Sequence, residues 1–120
     1  GIQDDTANAA LRGSKTRYAV LRPGGLEDSV ALGPRAMELN QGDAVGGLVS
    51  RSDVAAAAVA AADAPDTDDT TFELYAYGDA FAQKPGPTDF GLPSGPTGFE
   101  HRGETWPELF QGLKKDFSKL

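Results

Sequence analysis

Apolar positions along the chain change their period several times, and each change marks an element. Between Asp4 and Arg12, Ala7, Ala10 and Leu11 fall on one side of a helix, and Gly13-Ser14 ends it. Tyr18-Ala19-Val20-Leu21 is a short apolar run without alternation. Such a run suits a strand buried on both faces of a parallel sheet, and Pro23-Gly24-Gly25 stops it abruptly. From Leu26 to Gly47 the pattern is irregular. Ala36-Met37-Glu38-Leu39 can supply a short strand, and Asn40-Gln41-Gly42-Asp43 reads as a turn.

A long Ala/Val run follows Ser50-Arg51-Ser52-Asp53 and reaches about Ala62, with Pro65 closing it. Ser50 and Asp53 have the spacing of a reciprocal capping box, and small side chains let such a helix approach a sheet closely. Thr70 to Tyr77 is the clearest strand, with Phe72, Leu74 and Ala76 on one face and Tyr75 and Tyr77 on the other. Residues 78–104, with Pro85, Pro87, Pro93 and Pro96, predict an extended, turn-rich arm. Thr105-Trp106-Pro107-Glu108 is a second capping box, opening a helix expected over residues 105–120. Trp106, Leu109, Phe110, Leu113 and Phe117 fall along one face of it, and Lys114, Lys115 and Lys119 suit the negative end of its dipole. No internal repeat is visible.

Composition narrows the classes of function. The 120 residues allow one domain, and 39% apolar content with 15 Gly and 8 Pro predicts a good deal of loop. A net charge of -7 with scattered basic residues argues against a nucleic-acid or anionic-membrane surface. No cysteine is present, which excludes disulfides, thiolate metal sites and a cysteine nucleophile. The longest apolar stretch, Val54 to Ala62, falls far short of the ~20 residues that span a bilayer. The chain begins at Gly1 rather than Met, as expected of a processed mature end or of an incomplete chain.

The order of helix, buried strand, Pro-Gly-Gly, loop, capped helix and strand says only α/β. Particular blocks are more specific. Ala9-Ala10-Leu11-Arg12-Gly13-Ser14 with Tyr18 to Leu26, then Gly42 to Gly47 with Val49 to Ala55, then Thr70 to Leu74, keep one order and compatible spacing. Together they resemble the C-terminal half of atypical short-chain dehydrogenase/reductase proteins, an NAD(P)-binding Rossmann group. That group includes plastid and cyanobacterial members accompanying photosynthetic complexes. The resemblance covers roughly residues 4–76. It implies an α/β fold that is partly Rossmann-like, the C-terminal half of a doubly wound parallel sheet over 1–77; the extended Gly/Pro-rich arm over 78–104 and the amphipathic helix over 105–120 lie outside it.

By the same resemblance, Arg22, Pro23, Gly24 and Gly25 would line the nicotinamide end of a cofactor site. Leu26 to Asn40 would form a flap over the substrate. The Gly-rich turn that seats a pyrophosphate belongs to the other half of such a fold, and no G-x-G-x-x-G occurs here. At the family's Tyr-x-x-x-Lys pair the chain has Asp4 for the lysine, and the tyrosine would precede Gly1. An aspartate cannot lower a tyrosine pKa or hold ribose as a lysine does. Reductase chemistry by this chain alone is therefore not expected, nor is a cofactor on it alone; NAD(P) is expected where the N-terminal half is present.

Other candidates each have a plainer reading. Ser50 and Asp53 are capping residues, and Arg51 could clamp an anion or remain solvated. His101 stands between Glu100 and Arg102 as expected of a surface residue. Asp66 and Asp68 have the alternate spacing of a calcium loop, but the glycine turn and closing glutamate do not follow, so no metal is expected. Trp106, Leu109, Phe110, Leu113 and Phe117 either pack in this chain's own core or dock on another protein as a helix in a groove.

Two parallel strands do not make a stable sheet alone, and an unpaired central-type strand is an aggregation template. The partner expected is therefore another protein subunit or the N-terminal half of the chain's own domain, and the isolated chain is expected to be poorly soluble or molten. At ~3.3 Å per residue the arm reaches tens of ångströms, which suits an assembly. Two functions follow: a non-catalytic accessory subunit, in a plastid by the resemblance alone, or the substrate half of an NAD(P)H-dependent reductase or epimerase-like enzyme.

Overall fold

The protein, seen in a computed structural model, is described over residues 17–42, 46–77 and 99–116. The helix expected over Asp4–Arg12, the arm as far as residue 98, and Phe117 lie outside these. Strand β1 (Ala19–Pro23) is followed by β2 (Gly25–Glu27), a 3-10 turn (Pro34–Ala36) and β3 (Met37–Asn40). Strand β4 (Leu48–Ser50) leads into helix α1 (Arg51–Ala62), and a second 3-10 turn (Pro65–Thr67) into β5 (Thr70–Ala76). Helix α2 (Trp106–Phe110) comes last.

The main sheet has three strands in the order β1-β5-β3, beside a two-stranded sheet of β2 and β4. Strand β1 is parallel to β5, with Ala19 opposite Thr70 and Pro23 opposite Leu74. Strand β2 is parallel to β4. Strand β3, however, runs antiparallel to β5, with Met37 opposite Ala76 and Asn40 opposite Glu73. The architecture is thus mixed α/β with parallel pairs, compatible with part of a Rossmann-like fold, and the main sheet is mixed rather than wholly parallel.

The pleat sorts each strand's side chains to two faces. Leu39, Phe72 and Leu74 face the helices and, with Met37, are wholly buried. Helix α1 meets this layer with Ala57 and Ala61, whose small size lets it settle against the sheet. Leu109 and Phe110 of α2 complete the same core. Phe110 lies 5.8 Å from Phe72 and 6.5 Å from Trp106 between ring centroids. Each fully buried side chain of this size contributes about 1.5–3 kcal/mol.

The opposite face is polar yet also buried: Glu38, Asn40, Glu73 and Tyr75 are each at most 5% exposed. The Tyr75 hydroxyl donates to Glu38, 2.5 Å away, and accepts from Asn40 Nδ2 at 3.3 Å. Arg102 closes the row, its Nε 2.6 Å from the second Glu38 oxygen and its guanidinium 3.9 Å above the Tyr77 ring. Burial, then the hydrogen bond to Glu38, pushes the Tyr75 hydroxyl well above its ordinary pKa.

The C-terminal segment differs from the sixteen-residue helix its periodicity suggests. The Thr105–Glu108 capping box forms as expected, but α2 ends at Phe110 because Gln111 is extended and Gly112 takes a φ of +79°. Lys114 and Lys115 therefore lie beyond the last turn of the helix, Lys114 over the Phe99 ring and Lys115 donating to the Asp68 carbonyl. Residues 113–116 run along the start of β5 instead, where Thr70 bridges Lys115 and the Asp116 N–H donates to the Asp69 carbonyl. The Gln41 side chain joins the two, donating to the carbonyls of Thr71 and Lys114 and accepting from the Lys114 N–H. His101 pairs with Leu39 through two backbone bonds, extending the sheet beyond β3.

Candidate functional site

Strands β1 and β5 run in the same direction, so their carboxyl ends share one edge of the sheet. Strand β4 feeds α1 at that edge, so the turn Pro23–Gly25, the loop 28–33 and the amino end of α1 all gather there. Open α/β sheets bind ligands in the crevice outside the carboxyl ends of their strands.

Arg22, Pro23, Gly24 and Gly25 are all half-buried at this edge. Gly24 has a steric reason to be glycine: a Cβ there would stand 1.8 Å from the Gly47 carbonyl oxygen. The amides of the turn are engaged within the chain. Gly24 N–H donates to the Leu74 carbonyl at 3.0 Å and Gly25 N–H to the Gly47 carbonyl at 2.9 Å. Gly46-Gly47, in the sequence only part of a matching block, is thus the surface on which the Pro-Gly-Gly turn sits.

The amino end of α1 is filled by the chain itself. Ser50 Oγ accepts from the Asp53 N–H at 3.1 Å, the first half of the expected capping box. The second half does not form. The Asp53 carboxylate, wholly buried, turns away from the Ser50 amide and accepts from the N–H groups of Leu32 (2.8 Å) and Gly33 (2.9 Å). Two amides of another loop satisfy a carboxylate more fully than the single amide of the cap. Arg51 forms an ion pair with Asp28. This use of Asp53 left no local signal in the sequence, because its partners lie some twenty residues earlier.

The remaining candidates are placed as follows. Leu109, Phe110 and Leu113 are buried in the chain's own core and Trp106 packs partly against it. His101 is half-buried in its bridge to Leu39. Asp68 pairs with Arg17 at 3.2 Å, and the described residues hold no group of three or more metal-ligating side chains.

A mixed α/β unit whose parallel strands share a carboxyl edge is compatible with part of a Rossmann-like fold. A family description, NAD(P)H-binding, matches residues 2–65. The chain belongs to that NAD(P)H-binding family. No match was found among curated proteins. The described residues fit such a cofactor only in part. The stretch at Gly24 and Gly25 carries no side chain that would obstruct a ring, whereas no G-x-G-x-x-G turn to seat a pyrophosphate occurs in the chain.

Proposed function

We propose that this chain is a non-catalytic accessory component of the NAD(P)H-binding family, working within a larger assembly. The observation that carries the reading is the internal use of the donors at the carboxyl edge. The amides of Gly24, Gly25, Leu32 and Gly33 all bind groups of this chain rather than standing open for phosphate or carboxamide. The partner is another subunit or a further part of its own domain, reached along β1. The resemblance adds a plastid, photosynthetic setting.

A second reading, the substrate half of an NAD(P)H-dependent reductase or epimerase-like enzyme, is favoured by the placement of Arg22 to Gly25 at the carboxyl edge. In that case the dinucleotide's phosphates are held by residues of the other half. Native mass of the protein isolated from its source, with sequencing of what co-migrates and an NADPH fluorescence titration, separates the two. The accessory reading expects fixed stoichiometry in a large species and no saturable NADPH binding. A small species that binds NADPH saturably overturns it.

A further inference from the structure

Two surfaces of the chain lie side by side without a match. The first is the outer edge of β1. Ala19 and Leu21 point their backbone groups away from β5, and among the described residues no strand takes that side. The second is the outer face of α1, which packs on β1. Its exposed positions past the first turn, Ala55, Ala56, Ala58, Val59 and Ala62, are all apolar, and Val59 is 70% exposed. A surface helix ordinarily turns polar residues to solvent. Exposed alanine by itself calls for no partner, but here the apolar face adjoins an open strand edge, and the two make one continuous surface.

This surface is complementary to itself. A two-fold axis perpendicular to the sheet pairs β1 antiparallel with β1 of a second copy and leaves both α1 helices on the same side. Within Ala19–Pro23, pairing Ala19 with Leu21 of the second copy is the register in which both residues use both backbone groups. It sets Val20 opposite Val20 of the second copy. Paired strands stand about 4.8 Å apart, so helices carried on them come close, and small outer side chains let them do so. The helices run antiparallel, which brings the amino end of one toward the carboxyl end of the other. Asp63 is exposed at the C-cap of α1, and the last turn of α1 holds no basic residue. An acid there opposes the helix dipole, and the amino end of the second α1, with its Arg51, offsets it.

We infer that the partner along β1 is a second copy of this chain, in a two-fold dimer built from paired β1 strands and paired α1 helices. This rests on the reading that the chain works through a partner at that edge. An isologous pairing uses up the surface it is made from, so association stops at two chains.

Sedimentation equilibrium of the full chain is expected to show a mass that rises with concentration to twice that of one chain and no further. Val59→Lys, a change at an exposed position, should weaken the dimer roughly ten-fold or more, since it sets two like charges in the α1 contact. The chain has no cysteine, so single introduced cysteines read the register. Val20→Cys puts two thiols at a facing pair with Cα atoms about 4.5 Å apart, within disulfide reach, and should link the copies under mild oxidation. Ala19→Cys, which faces Leu21 of the second copy, should link several-fold more slowly. Val20 is buried, so if Val20→Cys alters the circular dichroism, the Val59→Lys result decides. A chain that stays monomeric, a mass that passes two chains, equal linking of the two cysteine variants, or a dimer indifferent to Val59→Lys overturns the inference. The accessory reading stands or falls separately. Protein isolated in fixed ratio with a different subunit, without linking through Val20→Cys, keeps that reading and removes this dimer.

Discussion

A methyl group at Gly24 would overlap the Gly47 carbonyl, whereas at Gly42 it would meet nothing within 4 Å and conflict only with a φ of +94°. The two glycines are therefore required for different reasons, and alanine separates them. Gly42→Ala should cost about 1–2 kcal/mol, the ordinary penalty for a side chain in left-handed backbone. Gly24→Ala must push apart the turn and the residues before β4, and should cost about 3 kcal/mol or more, at the upper end of overpacking penalties. Urea unfolding of both variants measures this. A Gly24→Ala cost no greater than that of Gly42→Ala would mean that the turn yields and that its closeness to Gly47 is not what keeps glycine there.

At the scale of elements, β3 and β5 are joined through a polar row as well as a ladder, and Tyr75 gives that row a pH signature. Its folded pKa is raised, first by burial and then by its hydrogen bond to Glu38. Above about pH 10 the unfolded chain releases this proton while the folded chain keeps it. The stabilisation is thus fully present below about pH 10 and is lost as pH rises further. Tyr75→Phe should flatten that alkaline decline. At neutral pH it should cost about 1–3 kcal/mol, because Glu38 and Asn40 lose a buried partner. Urea midpoints from pH 7 to 11 test both, and parallel slopes for the two proteins would refute the assignment. The sequence made the strands legible to different degrees. Tyr18–Leu21 and Thr70–Tyr77 declared themselves through unbroken apolarity and alternation, and α1 through its cap. The burial of Glu38, Asn40 and Glu73 left no such signal, since local pattern does not reveal that a sheet buries both faces. The length of α2 was misread for a similar reason. Leu113 keeps helical spacing but reaches the core across the Gly112 turn, so burial preserved a period that the backbone had abandoned. At the candidate site the Pro23–Gly25 turn was legible from its residues. The anchoring of loop 28–33 was not, because Asp53 also satisfies a local capping pattern.

At the scale of the molecule, the main question is what lies beside β1. Tyr18 and Gly24 bond toward β5, through the Asp69 N–H and the Leu74 carbonyl, so by the pleat Ala19 and Leu21 direct their backbone groups away from it. Among the described residues no strand takes that side, and β1 ends the sheet order. Pro23, which lacks an N–H, shortens the edge at one end, but Ala19 and Leu21 retain donors and acceptors. An edge of this kind in a strand as apolar as Tyr18–Leu21 associates with whatever strand it meets. The purified chain is therefore expected to self-associate and to melt without a sharp transition. Ala19 is exposed, so Ala19→Lys can place a charge at the edge without entering the core. Light scattering should show the variant shifted toward monomer, with far-UV circular dichroism unchanged. A wild-type chain that is already monodisperse and unfolds cooperatively would show that the sheet is complete as it stands. The accessory reading would then lose the structural reason for its partner, and NADPH binding by the chain alone would become the first thing to measure.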